Sequence, residues 1–483
     1  MKLRGADVLA RTLADAGVRN VFTLSGNHVM PVFDAALDAK LNLIHVRHEA
    51  AAVHMADAWG RLTGEVGVAL VTGGPGHANA LGALYTALAA ESPVVLISGH
   101  APLGELGKGA FQEMPQAELA APLAKGSWTV RSVHAVGADL ARALREARKG
   151  PVHLSVPSDV LEATTQSKVP TDFSLPEKAH SQNLDALRNA KRPLVIAGPA
   201  AMRAQTRKQG AMPVIGMESP RGVNDPSLGK LAEVLAKADV VLLLGKPLDF
   251  TLKFGGAFAQ DCRILSAAGA VDLPPPGAAQ QPWLDEVRAA LAYRPAEWKD
   301  LHGTLHPVAV CREVQKLLAA PDAVLVCDGG EFGQWAQACL SAPQRVINGP
   351  AGSIGSALPF AAAAKLAFPR APVVAMMGDG TFGFHTAELD TAVRYGLDYV
   401  AVIGNDACWN AEYQIALKAY GKERAKNLDL LPTRYGAVAA AFGAHGEDVV
   451  EESQLRDALE RARSAGKPAC VNVMIERAAA PRY

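Results

Sequence analysis

An apolar run, PVVAMM at Pro372–Met377, ends on Gly378-Asp379-Gly380, and a second, YVAVIG at Tyr399–Gly404, ends on Asn405-Asp406. Between them, TAELDTAVRYGL spaces Leu389, Val393 and Leu397 along one helical face. Strand, helix, strand in that order predicts a right-handed parallel unit. Both polar tips then lie at the carboxyl ends of neighbouring strands, where open α/β sheets bind their ligands. Oxygen-bearing side chains converging there suit a hard divalent cation such as Mg²⁺, and such a cation suits a phosphate. The glycines around Asp379 let backbone N–H groups come close to that phosphate. A lone Gly-Asp-Gly is an ordinary surface turn; the strand–helix–strand context is what makes it a metal–diphosphate candidate.

The same alternation runs through the rest of the 483 residues. It predicts an α/β protein of three doubly wound parallel sheets, in blocks 1–165, 183–295 and 305–483. The first block shows strands at Val18–Leu24, Leu43–Val46, Val66–Thr72 and Pro93–Ser98, with helices between them. The polar, proline-containing stretch Ala163–Gln182 reads as a linker. The central block is short, with clear strands only at Pro193–Gly198 and Ala238–Gly245. Blocks one and three both end buried strands on glycine-rich turns, which suggests two similar sheets facing each other across a ligand.

Charge excludes some functions. Lys plus Arg and Asp plus Glu both number 48, so no polyanion-attracting field is expected and nucleic acid is not an expected partner. The six cysteines form no CxxC and no metal spacing, as expected of reduced thiols in a cytoplasmic protein. The first 17 residues read as an amphipathic helix, not a signal peptide, and no apolar run reaches membrane-spanning length.

Taken together these residues resemble the thiamine-diphosphate-dependent enzymes of the acetolactate-synthase-like, 2-hydroxyacyl-CoA-lyase-like and benzaldehyde-lyase-like branch. The likeness rests on GDG with Asn405-Asp406, VRHEAAAVHMADAWGRLTG at Val46–Gly64, VTGGPGHANALGAL at Val71–Leu84, AFQE at Ala110–Glu113 and AGSIGSALPF from Ala351. It spans nearly the whole chain. Asp406 departs from the pattern, standing where the family usually has a second Asn.

The resemblance implies a pyrimidine-binding first block, a reduced central block and a diphosphate-binding third block. It implies Mg²⁺ held by Asp379, Asp406 and the Cys408 carbonyl, with Gly378, Gly380, Thr381, Asn405 and Trp409 close to the cofactor. Glu49 would hydrogen-bond the aminopyrimidine ring, so that the ring's amino group can take the thiazolium C2 proton. Ile354 would wedge under the cofactor, and Gly76 and Asn79 would shape the turn beside Glu49. His28 and Gln112 fall on the substrate side; His77 and His100 are expected to be structural.

The implied activity is C–C lyase or carboligase chemistry on 2-oxo acids or 2-hydroxy carbonyl compounds. The alternatives are a 2-oxo acid decarboxylase releasing an aldehyde, a 2-hydroxyacyl-CoA lyase or oxalyl-CoA-type decarboxylase, and a cofactor-binding protein without turnover. The short central block leads to the expectation that FAD is not bound. The family also implies a homodimer or homotetramer, with Glu49 and Asp379 of one site on different chains.

Overall fold

The computed structural model describes residues 2–167, 169–173, 184–204, 212–269, 271–301 and 305–482. Lys168 and residues 174–182 of the expected linker lie outside the described residues. Three parallel sheets form the framework.

The first contains β1 (Asn20–Thr23), β2 (Asn42–His45), β3 (Gly67–Val71), β4 (Val94–His100), β5 (Gly126–Thr129) and β6 (Val152–Pro157). The central sheet contains β7 (Pro193–Ala197), β8 (Ile215–Gly216), β9 (Val240–Leu244) and β10 (Arg263–Ala267). The third contains β11 (Val324–Cys327), β12 (Gln344–Ile347), β13 (Val373–Gly378), β14 (Val400–Asn405), β15 (His445–Val449) and β16 (Ala469–Met474).

The spatial orders are β2-β1-β3-β4-β6-β5 and β12-β11-β13-β14-β16-β15, so the outer two sheets share one topology. The central sheet runs β8-β7-β9-β10. Strands β3, β4, β6, β7, β9 and β11 are buried at every position. That is why β3, β7, β9 and β11 read as apolar runs, while β4 and β6 also bury Ser and His: helices cover both faces of a parallel sheet, and no face alternates toward water.

Alanine-rich helices join the two outer sheets. Helix Glu49–Thr63 buries Ala51, Ala52, Met55 and Ala56, and these share one apolar core with Ala361–Ala364 of helix Ala357–Ala367. Small side chains let the two backbones come close. Polar ties reinforce the junction. Arg61 donates to the Ile347 carbonyl at 2.6 Å, and the Tyr395 hydroxyl donates to the Leu43 carbonyl at 2.9 Å. The Arg47 N–H donates to Glu388 at 3.0 Å.

Among the described residues no helix is long and apolar enough to cross a membrane. All six cysteines are free thiols, four of them buried.

Candidate active site

Strands β13 and β14 pair in parallel with Gly378 opposite Gly404, so Asp379 and Asp406 leave adjacent strand ends together. Asp379 opens the short helix Asp379–Phe382, and its Oδ2 is buried without a partner. Burial pushes its carboxyl up to about 6. Asp406 goes up to about 7, through burial first and then the facing charge of Asp379. Buried Asp379, with one orphaned oxygen, and half-buried Asp406 facing it form a donor pair of the kind hard cations take.

The loop after Asp406 is shaped to present oxygens. Ala407 takes a left-handed φ of 51°. Around the Cys408–Asp429 bridge, the ladder bonds run through the Ala407 carbonyl and the Trp409 N–H, which leaves the Cys408 carbonyl out of the ladder. Arg477, far along the chain, donates to the carbonyls of Asp406 and Ala407 at 2.9 and 3.0 Å and fixes the loop from outside.

Gly380 is needed for space: a Cβ there would lie 2.6 Å from the Trp409 ring. Thr381 turns its hydroxyl back to the Gly378 carbonyl at 2.9 Å.

Asn405 goes elsewhere. Its amide donates to the Thr433 carbonyl and Asn472, and its Oδ1 accepts from the Ala407 N–H, so it braces the loop from behind. Successive strand residues point to opposite faces, which separates Asn405 from Asp406.

Gly378, Asp379, Gly380, Thr381, Asp406, Cys408, Trp409 and Ile354 line one cleft of about 230 Å³. Ile354 is half-buried there, and not core. Sequence reasoning missed the parts that hold it. Asp328, at the end of β11, accepts from the N–H groups of Gly329, Gly355 and Ala357 at 2.7 to 3.1 Å. His385 meets the Gly355 carbonyl at 2.7 Å. Arg221 and Glu331, 3.4 Å apart, add a charged pair to the wall. Glu331 also accepts from the Ala480 N–H. None of these had a local signal, because each acts on a distant segment.

The second cluster gathers at the carboxyl ends of the first sheet. Glu49 starts its helix, 7 % exposed, and accepts from the Asn79 amide at 3.0 Å. A Cβ on Gly76 would come 3.2 Å from the Glu49 Oε1. His28 is buried beside Thr72, with 3.3 Å between Nδ1 and Oγ1, and burial and then His100 lower its basicity. Gln112 takes a left-handed φ of 57° and leaves its Oε1 buried and unpartnered. It packs on Gly74, where a Cβ would meet the Gln112 carbonyl oxygen at 2.5 Å.

Gln116, unflagged by its sequence, anchors this turn through the Gly74 N–H at 2.8 Å, Gly99 and Ser155. His77 and His100 belong to the supporting network, His77 through Ser98 at 2.8 Å and His100 through the Met114 carbonyl at 3.2 Å.

The structure therefore assembles two clusters, one around Asp379 and one around Glu49. Among the described residues, the Asp379 cleft is lined by the central and third blocks and not by the first. At about 230 Å³ it is smaller than the roughly 300–1,000 Å³ of ordinary small-molecule pockets. Exposed aromatics border both clusters: Phe111 next to Gln112, and Phe384 at 6.4 Å from Trp409.

Comparison with known proteins gives consistent matches. The family model described as thiamine pyrophosphate enzyme, N-terminal TPP binding domain, matches residues 3–119, and its C-terminal TPP binding domain counterpart matches residues 328–473. The chain is 33% identical over 524 residues to the acetolactate synthase large subunit IlvG of Mycobacterium tuberculosis, covering 97% of this chain and 95% of that protein. It is 28% identical over 576 residues to 2-hydroxyacyl-CoA lyase 2 of Homo sapiens, covering 98% and 90%. It is 28% identical over 534 residues to the catabolic acetolactate synthase of Raoultella terrigena, covering 98% and 95%.

Proposed function

Because this chain belongs to the thiamine pyrophosphate enzyme family, we propose that it is a Mg²⁺-dependent C–C lyase or carboligase acting on 2-oxo acids or 2-hydroxy carbonyl compounds. The observation that carries the reading is the division of labour between the two clusters. One offers paired carboxylates for a metal and glycines for a diphosphate; the other offers a buried carboxyl for proton exchange.

Bound thiamine diphosphate would supply the electron sink beside the carbonyl carbon. Asp379, Asp406 and the Cys408 carbonyl would hold the Mg²⁺, and a dication would relieve the repulsion between the carboxylates. Gly380 and Thr381 would lie along the diphosphate. Glu49, oriented by Asn79, would hold a proton on the aminopyrimidine ring, and Ile354 would fix the cofactor's bend. His28 and Gln112 would face the substrate, where the unpartnered Gln112 Oε1 is available to it.

Burial keeps His28 neutral at physiological pH, so it would act as a neutral donor or acceptor there and not as a fixed cation. Two copies of the chain, as a homodimer or within a homotetramer, would bring the Glu49 half of one to the Asp379 half of the other. The exposed Phe111 and Phe384 suit burial in such an interface. The shortness of the central block is what leads the reading to a site working without FAD. Similarity to a 2-hydroxyacyl-CoA lyase over 98% of the chain keeps acyl-CoA substrates as the second reading.

Glu49→Gln tests the proposal. It should leave thiamine diphosphate affinity within a few-fold and slow cofactor C2 proton–deuterium exchange by about 100-fold or more, in line with losing an acid–base group. Unchanged exchange would refute it. Release of CO₂ or aldehyde from a panel of 2-oxo acids, 2-hydroxy ketones and acyl-CoAs then assigns the substrate.

A further inference from the structure

A second cavity, of about 550 Å³, opens where the three blocks meet, and shares no lining residue with the Asp379 cleft. It runs along the edge strand β12 and under the end of helix Glu49–Thr63. Four guanidinium groups line it, from Arg61, Arg203, Arg294 and Arg345, against one acid, Glu218.

Among the described residues, Arg61 alone of the four forms an ion pair, with Asp57 at 2.6 Å; the buried Asp225 acts on Arg345 from beyond ion-pair distance. Arg203 donates to the Ala90 and Glu91 carbonyls, and Arg294 to those of Ala338, Leu291, Tyr293 and Ser227. Carbonyls orient a guanidinium but bring no counter-charge. Among the described residues, Arg203, Arg294 and Arg345 make no ion pair. The acids nearest in effect to Arg203 act from a distance, and burial with the Arg61 charge depresses its basicity regardless.

A second, independent observation concerns Gln337. It lines the same cavity, is 1% exposed, and neither its Oε1 nor its Nε2 has a partner. Native proteins rarely leave a buried amide wholly unpaired.

We propose that this cavity binds a small phosphate-bearing anion through Arg203, Arg294 and Arg345, with Gln337 as the neutral partner. Three guanidiniums approaching from two blocks need oxygens in several directions. A tetrahedral phosphate offers them, whereas one planar carboxylate fills one fork. The site has a route to catalysis. Gln337 lies one turn from Gln334 on helix Gly330–Cys339, and Gln334 lines the Asp379 cleft. Ile347, in the cavity wall, precedes Asn348, which lines that cleft too.

The test is calorimetric titration of inorganic pyrophosphate into desalted protein preloaded with thiamine diphosphate and Mg²⁺. One saturable site per chain is expected, weakened at least tenfold in Arg345→Gln, a half-buried edge-strand position whose change spares the core, and in Gln337→Leu. Asp379→Asn should lose thiamine diphosphate binding and keep this site, which separates the two proposals. No saturable binding to the wild type, wild-type affinity in Arg345→Gln, or equal binding of citrate would overturn the assignment.

Discussion

Asp328→Asn should separate stability from activity, and its effect can be worked out from the hydrogen bonds. Asp328 is fully buried, and burial pushes its carboxyl up to about 6 against backbone N–H bonds that pull the other way. An acid whose folded pKa is raised carries a folding penalty that is absent below about pH 4 and complete above about pH 6. A shift of about two units makes that penalty roughly 3 kcal/mol at neutral pH. Asparagine removes it. Its remaining oxygen can keep the Gly329 and Gly355 N–H groups, now held by Oδ1 at 2.7 and 3.0 Å. The Ala357 N–H, now 2.9 Å from Oδ2, would face an NH₂ group instead, which costs about 1–3 kcal/mol. The net effect on stability is within about 2 kcal/mol of zero, on the favourable side.

The loop fares worse. The bond lost is the one that pins the start of helix Ala357–Ala367, just after Ile354. Misplacement by about an ångström near reacting atoms can cost on the order of 100-fold, so C2 exchange should fall 10- to 100-fold with thiamine diphosphate still bound. The wild type should also lose activity as pH drops through about 6, when Asp328 gains a proton and one acceptor is lost. Urea unfolding at pH 7.5 and C2 exchange from pH 5 to 8, on both proteins, make the assay. Wild-type exchange with an unchanged acid limb in Asp328→Asn would refute the clamp. Destabilisation beyond about 4 kcal/mol would show that the hydrogen bonds outweigh the burial penalty.

Gly380→Ala should raise the thiamine diphosphate Kd about 10- to 100-fold, because its Cβ would displace the Trp409 ring at 2.6 Å and overpacking costs roughly 1–3 kcal/mol. Quenching of tryptophan fluorescence during titration reads this, and an unchanged Kd would refute the contact. Burial holds His77 and His385 neutral down to about 4. Their stabilising effect is therefore present above about pH 6.5 and lost as pH falls toward 4, roughly 2 kcal/mol each between pH 7 and 5. His77→Gln should recover about that amount at pH 5 in urea unfolding, and an identical pH dependence in both proteins would contradict it.

The parts of the fold legible in the sequence are those in which neighbours in the chain decide the outcome. Strands β13 and β14 announce themselves because parallel strands covered on both faces are continuous apolar runs, and their tips meet because Gly378 and Gly404 are in register. Glu49 and Asn79, 30 residues apart, are legible only through the family resemblance and not through local pattern. What stayed hidden depends on contacts across the chain. Asp328 reads as the start of a CDGG turn until Gly355 and Ala357, 27 and 29 residues later, bring it their N–H groups. Gln116 sits 42 residues from the Gly74 it anchors, and Arg477 sits 71 residues from the Asp406 carbonyl it holds.

Asn405 shows the converse. Chain adjacency groups it with Asp406, but the pleat of β14 turns it to Thr433 and Asn472 while Asp406 goes to the cleft. A motif in a strand therefore fixes where the chain ends a run, and the pleat decides which of its residues reach the ligand. Packing likewise decides which clusters stay separate within the chain. The helix contact that joins the outer sheets within one chain uses the length of Glu49–Thr63 and leaves Glu49, at its first turn, out of the Asp379 cleft. Duplicated topology places both clusters at the carboxyl ends of their sheets, and packing inside the chain keeps Glu49 away from the Asp379 cleft.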